Sequence, residues 1–544
     1  MIRKNLWKIK NKSVLKNQKD WLLNVLAQNR GLTTPDQLKN FLNPTINQIT
    51  NSKLSDLEKG TKRVISAIKN KEKIIVYSDY DADGITAAAI LWETLFDLGA
   101  DVMPYVPHRI KEGYGLFIPA IEKMAKEGVN LIITVDQGVT ATKQVDAANK
   151  LGIDVVITDH HVLPETTPKA FALVHSLELC GAGVAWRLCW EIISKYKPEY
   201  QKKLMEKLEL AAIATIADLV PLNGPCRSIV KFGLEQLSKT KRPGLKSLLR
   251  DSKINGDIGT YEIGHILAPR INAMGRIEHG LDSLRLICAR NQEQADRLAS
   301  LLSKTNTKRQ DLTSGAVTSA FELIDVEQLV GVVASDKWHE GVIGLVASRL
   351  VDAHHKPMIV ISRGETFSKG SARSIPGFNI VEAIRNSSEF LVDAGGHPMA
   401  AGFTIETRHI ESFSKKINVF AQTVITEELL IPVIEIECQL ESSDITMDNF
   451  KYIKQLEPYG MANPEPIFLT KRMVIEDLHT VGNNNQHIKL QVDGLSAIGF
   501  NKGDFYPSMR PGYMLDLVYT IAEDKYNGNG ALQLKIKDLK LSNG

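Results

Sequence analysis

Between Lys73 and about Leu222 the chain repeats one pattern: a short apolar, β-prone run that stops abruptly on acidic or imidazole side chains. Ile74-Ile75-Val76-Tyr77 leads into Ser78-Asp79-Tyr80-Asp81-Ala82-Asp83-Gly84. Leu131 to Val135 leads into Asp136-Gln137-Gly138, and Val155 to Thr158 into Asp159-His160-His161. Asp101 to Val106 is a further strand, and a helix rich in Ala is expected from about Thr86. Strands apolar at every position are buried on both faces, so a largely parallel sheet covered by helices is expected. Ligands of such sheets sit beyond the carboxyl ends of the strands. The polar residues stand at just those ends.

Beyond Pro221 the text turns helical, and Asn291 to about Leu323 carries apolar residues at helical spacing. This predicts a long helix joining two halves, with a break near Gly315. A second α/β unit comes next: a strand over Leu329 to Ala334, a helix from Val342 to Ala353, and a strand over Met358 to Ile361. Near Pro432 alternating strands take over, with turn signals at Gly482-Asn483-Asn484-Asn485 and Asn527-Gly528-Asn529-Gly530. A small antiparallel barrel fits that tail. The expected divisions are an N-terminal extension (1–50), a first α/β domain (51–225), a helical connector (226–325), a second α/β domain (326–430) and an all-β domain (431–544).

Composition excludes several classes. A hydrophobic content of 43% with 24% charged residues is that of a globular chain. The net charge of +3 neither demands nor opposes a polyanionic partner. Five scattered cysteines without a Cys-x-x-Cys pair argue against a disulfide framework or a thiolate zinc site. No apolar run is long enough to span a bilayer and no signal core follows the N-terminus, so a cytoplasmic location is expected.

Asp79, Asp81 and Asp83 alternate within five residues, and carboxylates this close repel one another unless a cation neutralises them. Two readings stay open for that segment alone: an acidic cap on the following helix, or a metal site. The Gly and Glu of an EF-hand loop are not at their offsets. Asp136, the Asp159-His160-His161 run and Asp218 widen the choice in favour of metal, because four such segments share one end of one sheet. Mixed oxygen and nitrogen donors suit Mn²⁺, with Mg²⁺ as the hard alternative. Two ions about 4 Å apart activate water for in-line displacement at phosphorus, with Asp136 as the candidate bridge.

The four segments resemble, in order, the four motifs of the DHH phosphoesterases. Further stretches resemble the RecJ branch of that superfamily, whose members are single-strand-specific 5′→3′ DNA exonucleases. They are Pro107-His108-Arg109 with Glu112-Gly113-Tyr114-Gly115, and Pro269-Arg270-Ile271-Asn272-Ala273-Met274-Gly275-Arg276. Trp338-His339-Glu340-Gly341-Val342-Ile343-Gly344, Gly370-Ser371-Ala372-Arg373-Ser374 and Gly395-Gly396-His397-Pro398 continue the series. Leu456-Glu457-Pro458-Tyr459-Gly460 with Asn463-Pro464 closes it.

The resemblance implies that Asp83, Asp136, His160 and Asp218 hold one metal ion, and that Asp81 with Asp136 holds a second. Asp79 either assists that second ion or orients the loop. Tyr77 stands where some members place a His, which implies a weaker second site. His161 is implied to orient ligands or the scissile phosphate rather than to bind metal. With Asp81 and Asp136 it forms the implied catalytic set.

The second α/β unit resembles a DHHA1 domain, and the tail an OB-fold. Substrate contacts are implied for Arg109, Tyr114, Arg276, Ser371, Arg373, Gly395, Gly396, His397 and Asn463. Phe468, Lys471, Arg472, Tyr452 and Lys454 are further contacts to be tested in the tail. The implied partners are single-stranded DNA, a single-strand-binding protein and a RecQ-type helicase. A small-nucleotide phosphodiesterase, or a catalytically inactive DNA-binding scaffold, are the alternatives.

Overall fold

The computed structural model describes residues 5–12, 16, 18–109, 111–254, 256–524 and 530–542. It divides into two units, residues 44–424 and residues 1–43 with 425–544.

The larger unit is built on a five-stranded sheet in the order Asp101–Tyr105, Lys73–Ser78, Leu131–Val135, Asp154–Asp159, Ala172–His175, parallel throughout. Its last strand escapes sequence reading because only four residues, Ala-Leu-Val-His, carry it. The register sets where the acidic residues emerge. Ser78 pairs with Val135 and Val135 with Thr158, so Asp79, Asp136 and Asp159 leave the sheet level with one another at one edge.

The helix expected from Thr86 begins at Ala82. Asp81 is its N-cap, its side chain accepting the Gly84 N–H at 3.0 Å, so the acidic segment runs directly into the first helical turn, which holds Asp83. This helix, Ala82–Asp97, is buried on nearly all sides between the sheet and the helices Gly181–Tyr196 and Leu208–Ala217. The shared core runs through Ile74, Val76, Ile85, Leu91, Ile133, Val156 and Trp186. Each such aliphatic side chain contributes about 1.5–3 kcal/mol on burial.

Residues 226–302 do not stand apart as a spacer. Cys226, Ile229, Leu248, Leu267, Leu284 and Leu302 pack into that same core. The helix Gln292–Leu323 is capped by Asn291 and runs unbroken through Gly315, correcting the expected break. A Cβ at Gly315 would meet nothing within 4 Å, so this glycine marks neither a kink nor a close approach.

The second sheet has the order Leu391–His397, Ala400–Glu406, Phe367–Arg373, Met358–Ser362, Gly331–Ser335. It is mixed: Gly331–Ser335 pairs with Met358–Ser362 in parallel, and the other pairs are antiparallel. The helix Ile343–His354 packs on it and on Gln292–Leu323.

In the smaller unit, the strands Phe468–Val481, His487–Val492, Leu495–Gly499, Leu532–Leu541 and Met514–Glu523 form a barrel. Pairing of the first with the last closes it. The turn around Asn483–Asn485 joins a hairpin as expected, whereas Asn527 to Asn529 lie outside the described residues. Leu6–Asn11 adds in parallel to Val433–Gln439, and the helix Trp21–Asn29 drives Trp21, Leu22 and Leu26 into the barrel core. Much of the stretch read as an extension therefore completes this unit, because a free strand edge and an apolar face await it. Phe468 is fully buried there, which makes it core and not a nucleic-acid contact. No helix among the described residues is long and apolar enough to cross a membrane.

Candidate metal centre

Register and helix capping bring the predicted ligands together. Three groups of donor atoms each gather within 4.8 Å: Asp83, His160 and Asp218; Asp79, Asp81 and Asp136; Asp136, His160 and His161. Asp136 belongs to two of them. It holds a left-handed backbone conformation at φ 62°, one that costs about 1–3 kcal/mol and that Asp tolerates better than most residues. Gly181 faces it so closely that a Cβ there would lie 2.5 Å from the Asp136 Cβ.

Both oxygens of Asp83 are fixed by the start of the Gly181–Tyr196 helix, accepting from the N–H groups of Gly181 at 2.7 Å and Ala182 at 2.6 Å. Nε2 of His160 lies 3.1 Å from Oδ1 of Asp136, 3.5 Å from Oδ2 of Asp218 and 3.7 Å from Oδ2 of Asp83. Asp159, buried beneath, accepts from the N–H groups of Val139, His160 and His161 and takes Nδ1 of His161 at 2.7 Å.

Crowding and burial of carboxylates set the electrostatics of the site. Burial, followed by the Asp218 and Asp81 charges, pushes Asp83 well above the usual carboxylate range. Burial and the Asp83 charge do the same to Asp136, and burial and the Asp81 charge to Asp79. Asp218 rises to about 7, mainly through burial. Burial, helped by the neighbouring His161 charge, lowers His160 to about 4, so it is a neutral imidazole. Among the described residues, Oδ1 of Asp79 and Oδ1 of Asp136 are buried and accept no hydrogen bond. Convergent carboxylate oxygens, two of them buried without a donor, fit a divalent cation, and the oxygen-rich set with one imidazole fits Mn²⁺ or Mg²⁺.

His161 differs from its neighbour. Burial would lower it, yet the hydrogen bond and charge of Asp159 raise it to about 9. It is therefore cationic near neutrality, with Nδ1 committed to Asp159 and a ring nitrogen in the Asp136–His160 group. Its motif position set it apart from the metal; the structure brings it to the edge of the cluster. Asp159, Gly181 and Ala182 are not singled out by the sequence, where Asp159 is legible only as the first letter of a motif.

Tyr114 sets its ring edge-on to His161 at 6.3 Å. Arg109 lies over the Tyr80 ring at 5.2 Å. Among the described residues Arg276 hydrogen-bonds the Gly341 carbonyl alone, at 3.4 Å, and burial with the nearby Arg109 charge lowers it to about 10. Arg373 contacts Ser371 Oγ and the Ala372 carbonyl, and burial lowers it too. Among the described residues none of these three arginines forms an ion pair, which suits an anion.

Across the second sheet, Ser371 is level with Gly402 and Gly395, and Arg373 with Ala400 and His397. The two glycines lie in a strand, not in a plain turn. Gly396, at φ 145°, is required by the strand pairing, since a Cβ would lie 2.3 Å from the Ala400 carbonyl oxygen. Gly395 faces open space.

Asn463 is the exception. It is buried in the smaller unit, donates to the Leu456 and Pro458 carbonyls and accepts from Arg30 Nε at 2.7 Å. Its amide is spent on the loop and is withdrawn from the substrate contacts.

Three family models match the chain: DHH family, N-terminal domain, over residues 73–216; DHHA1 domain over 326–423; RecJ OB domain over 436–538. The single-stranded-DNA-specific exonuclease RecJ of Bacillus subtilis is 37% identical over 95% of this chain and 67% of its own length. That of Haemophilus influenzae is 32% identical over 92% of both chains. The crystal structure of RecJ in complex with Mn²⁺ from Thermus thermophilus superposes with a TM-score of 0.86 at 27% identity, covering 99% of this chain and 80% of that one. The same protein in complex with Mg²⁺ gives a TM-score of 0.80 at 26% identity, covering 99% and 79%. The chain belongs to the RecJ family of the DHH phosphoesterases.

Proposed function

We propose that this protein is a divalent-metal-dependent exonuclease that degrades single-stranded DNA from its 5′ end to mononucleotides, in DNA repair and recombination. The observation that carries the reading is the three donor groups linked through Asp136 and His160 at the carboxyl ends of the strands, beside arginines that lack ion partners among the described residues. Asp83, His160 and Asp218 with Asp136 would hold one ion, and Asp79, Asp81 and Asp136 the other. When bound, the ions supply an activated water and stabilise charge on the scissile phosphate.

The chain's own residues supply the rest. His161, kept cationic by Asp159, donates to the phosphate or protonates the departing 3′ oxygen. Arg109, Arg276 and Arg373, with Ser371 and His397, grip the terminal phosphate, since a guanidinium binds phosphate oxygens bidentately. A terminal phosphate seated there defines a 5′ end. Gly395 leaves the backbone open to the strand, and Tyr114 offers a ring to a base. A single-strand-binding protein and a RecQ-type helicase are the partners that would deliver substrate in the cytoplasm.

The test uses end-labelled linear single-stranded, linear duplex and circular single-stranded DNA, with and without Mn²⁺. Mononucleotides should be released from the 5′ end of linear single strands in Mn²⁺ alone. Equal cutting of circles, or equal activity in chelator, excludes the reading.

A further inference from the structure

We infer that Asn272 is a positioning residue of the metal centre, an inference that rests on the metal-dependent reading above. Its side-chain Oδ1 accepts the backbone N–H of Ala82 at 2.7 Å, from a helix, Ala268–Ile277, that places it 190 residues further along the chain. Ala82 is flanked by Asp81 and Asp83, one in each proposed ion group. Its N–H is one of the donors that the first turn of a helix leaves unpaired. Asp81 satisfies the Gly84 N–H but does not reach this one. The Asn272 amide therefore sets the tilt of the peptide from which both carboxylates project.

A second contact from the same helix supports the assignment. Gly275 lies against the Tyr80 backbone, where a Cβ would come within 2.5 Å of the Tyr80 carbonyl oxygen. Gly280, just past the helix, also abuts Tyr80, with a Cβ position 3.2 Å from the same oxygen. Helix Ala268–Ile277 thus grips the Asp79–Asp83 segment twice, once by a hydrogen bond and once by van der Waals contact. Partners of this kind, one shell out from the ligands, set metal affinity by about 10–100-fold. A plain helix cap predicts something different: a loss of stability with metal affinity unchanged.

The experiment is a calorimetric Mn²⁺ titration of the full chain, with melting of the metal-free protein in parallel. Asn272→Ala should weaken Mn²⁺ binding by about 10-fold or more. Asn272→Asp, which keeps the acceptor oxygen, should recover most of the Mn²⁺ binding that Asn272→Ala loses. Gly275→Ala, a neutral change that pushes on the Tyr80 carbonyl, should weaken Mn²⁺ as Asn272→Ala does, and it decides the matter if Asn272→Ala does not fold. Parent-like Mn²⁺ affinity in Asn272→Ala, or in Gly275→Ala, overturns the positioning role alone. Failure of the unsubstituted protein to bind Mn²⁺ overturns both this role and the metal-dependent reading.

Discussion

Nε2 of His160 and Oδ1 of Asp136 face each other at 3.1 Å without a hydrogen bond between them. Burial keeps the imidazole neutral, and in the tautomer that carries its proton on Nδ1 both facing atoms are acceptors. The arrangement sacrifices stability for a cation, and removing one carboxylate should return some of it. Asp136→Asn keeps the shape, and Asn tolerates the left-handed backbone at φ 62° as well as Asp does. We expect Mn²⁺-dependent hydrolysis to fall by about 10³-fold or more, while the metal-free melting temperature stays level or rises. A marked drop in that temperature would show that Asp136 is a structural acceptor instead.

The pH dependence of the metal-free protein has a definite sign. Asp79, Asp83, Asp136 and Asp218 are raised in the folded state, Asp218 to about 7. Raised carboxylates contribute stability that is complete below their ordinary pKa near 4 and is lost as pH rises through the folded values. His160, lowered to about 4, acts oppositely, but its contribution is complete above about pH 6.5, and His161, raised to about 9, adds to the loss above that pH. Between about pH 6.5 and 8 the protein in chelator should therefore lose melting temperature. Saturating Mn²⁺ should abolish or reverse that slope, because the ion replaces the protons. Scanning calorimetry at both pH values, with and without Mn²⁺, measures it; a metal-free slope that is flat or rising contradicts the buried-carboxylate account.

Arg276 separates binding from stability. It is a deeply placed guanidinium that makes one long hydrogen bond, to the Gly341 carbonyl, among the described residues. An apolar replacement relieves an unpaired buried cation but removes the proposed phosphate partner. Arg276→Met should weaken binding of 5′-phosphorylated single strands by about 10–100-fold, the worth of a charge-assisted hydrogen bond, without lowering the melting temperature. Binding of strands ending in a 5′-hydroxyl should change much less, and an equal loss for both ends would remove Arg276 from terminal recognition.

Much of this site is legible in the sequence alone, and sheet geometry is the reason. Strand ends in a parallel sheet are level, so Asp136 and the Asp159-His160-His161 run had to meet once their strands were recognised. What sequence could not give was direction. Asp83 lies in a helix rather than a loop because Asp81 caps that helix and Asn272 completes the cap, and the second of these contacts spans 190 residues. The roles of His160 and His161 diverge only through burial and the Asp159 carboxylate, neither of which spacing reveals. Asn463 misled for the opposite reason. A motif match marks a constrained residue, and here the constraint is a loop held to Arg30. The Leu6–Asn11 strand was invisible because its partner, Val433–Gln439, lies near the other end of the chain.

Stability, as distinct from chemistry, is concentrated at the far end of the Ala82–Asp97 helix. Arg242 grips Glu93 with two hydrogen bonds of 2.7 Å and reaches Glu209 at 2.8 Å. Lys207 lies 3.7 Å from Glu93 and donates to Thr94 at 2.9 Å. Burial would raise Glu93, but the hydrogen bonds and charge of Arg242 hold it below the usual range. Removing Arg242 would strand two buried carboxylates, a change worth about 3–5 kcal/mol. Arg242→Ala should therefore lower the denaturation midpoint substantially. Because the network lies at the opposite end of the helix from Asp81 and Asp83, Mn²⁺ affinity measured below the melting range should be unchanged. If Mn²⁺ affinity falls in proportion to stability, the helix transmits strain along its length and its two ends are not independent.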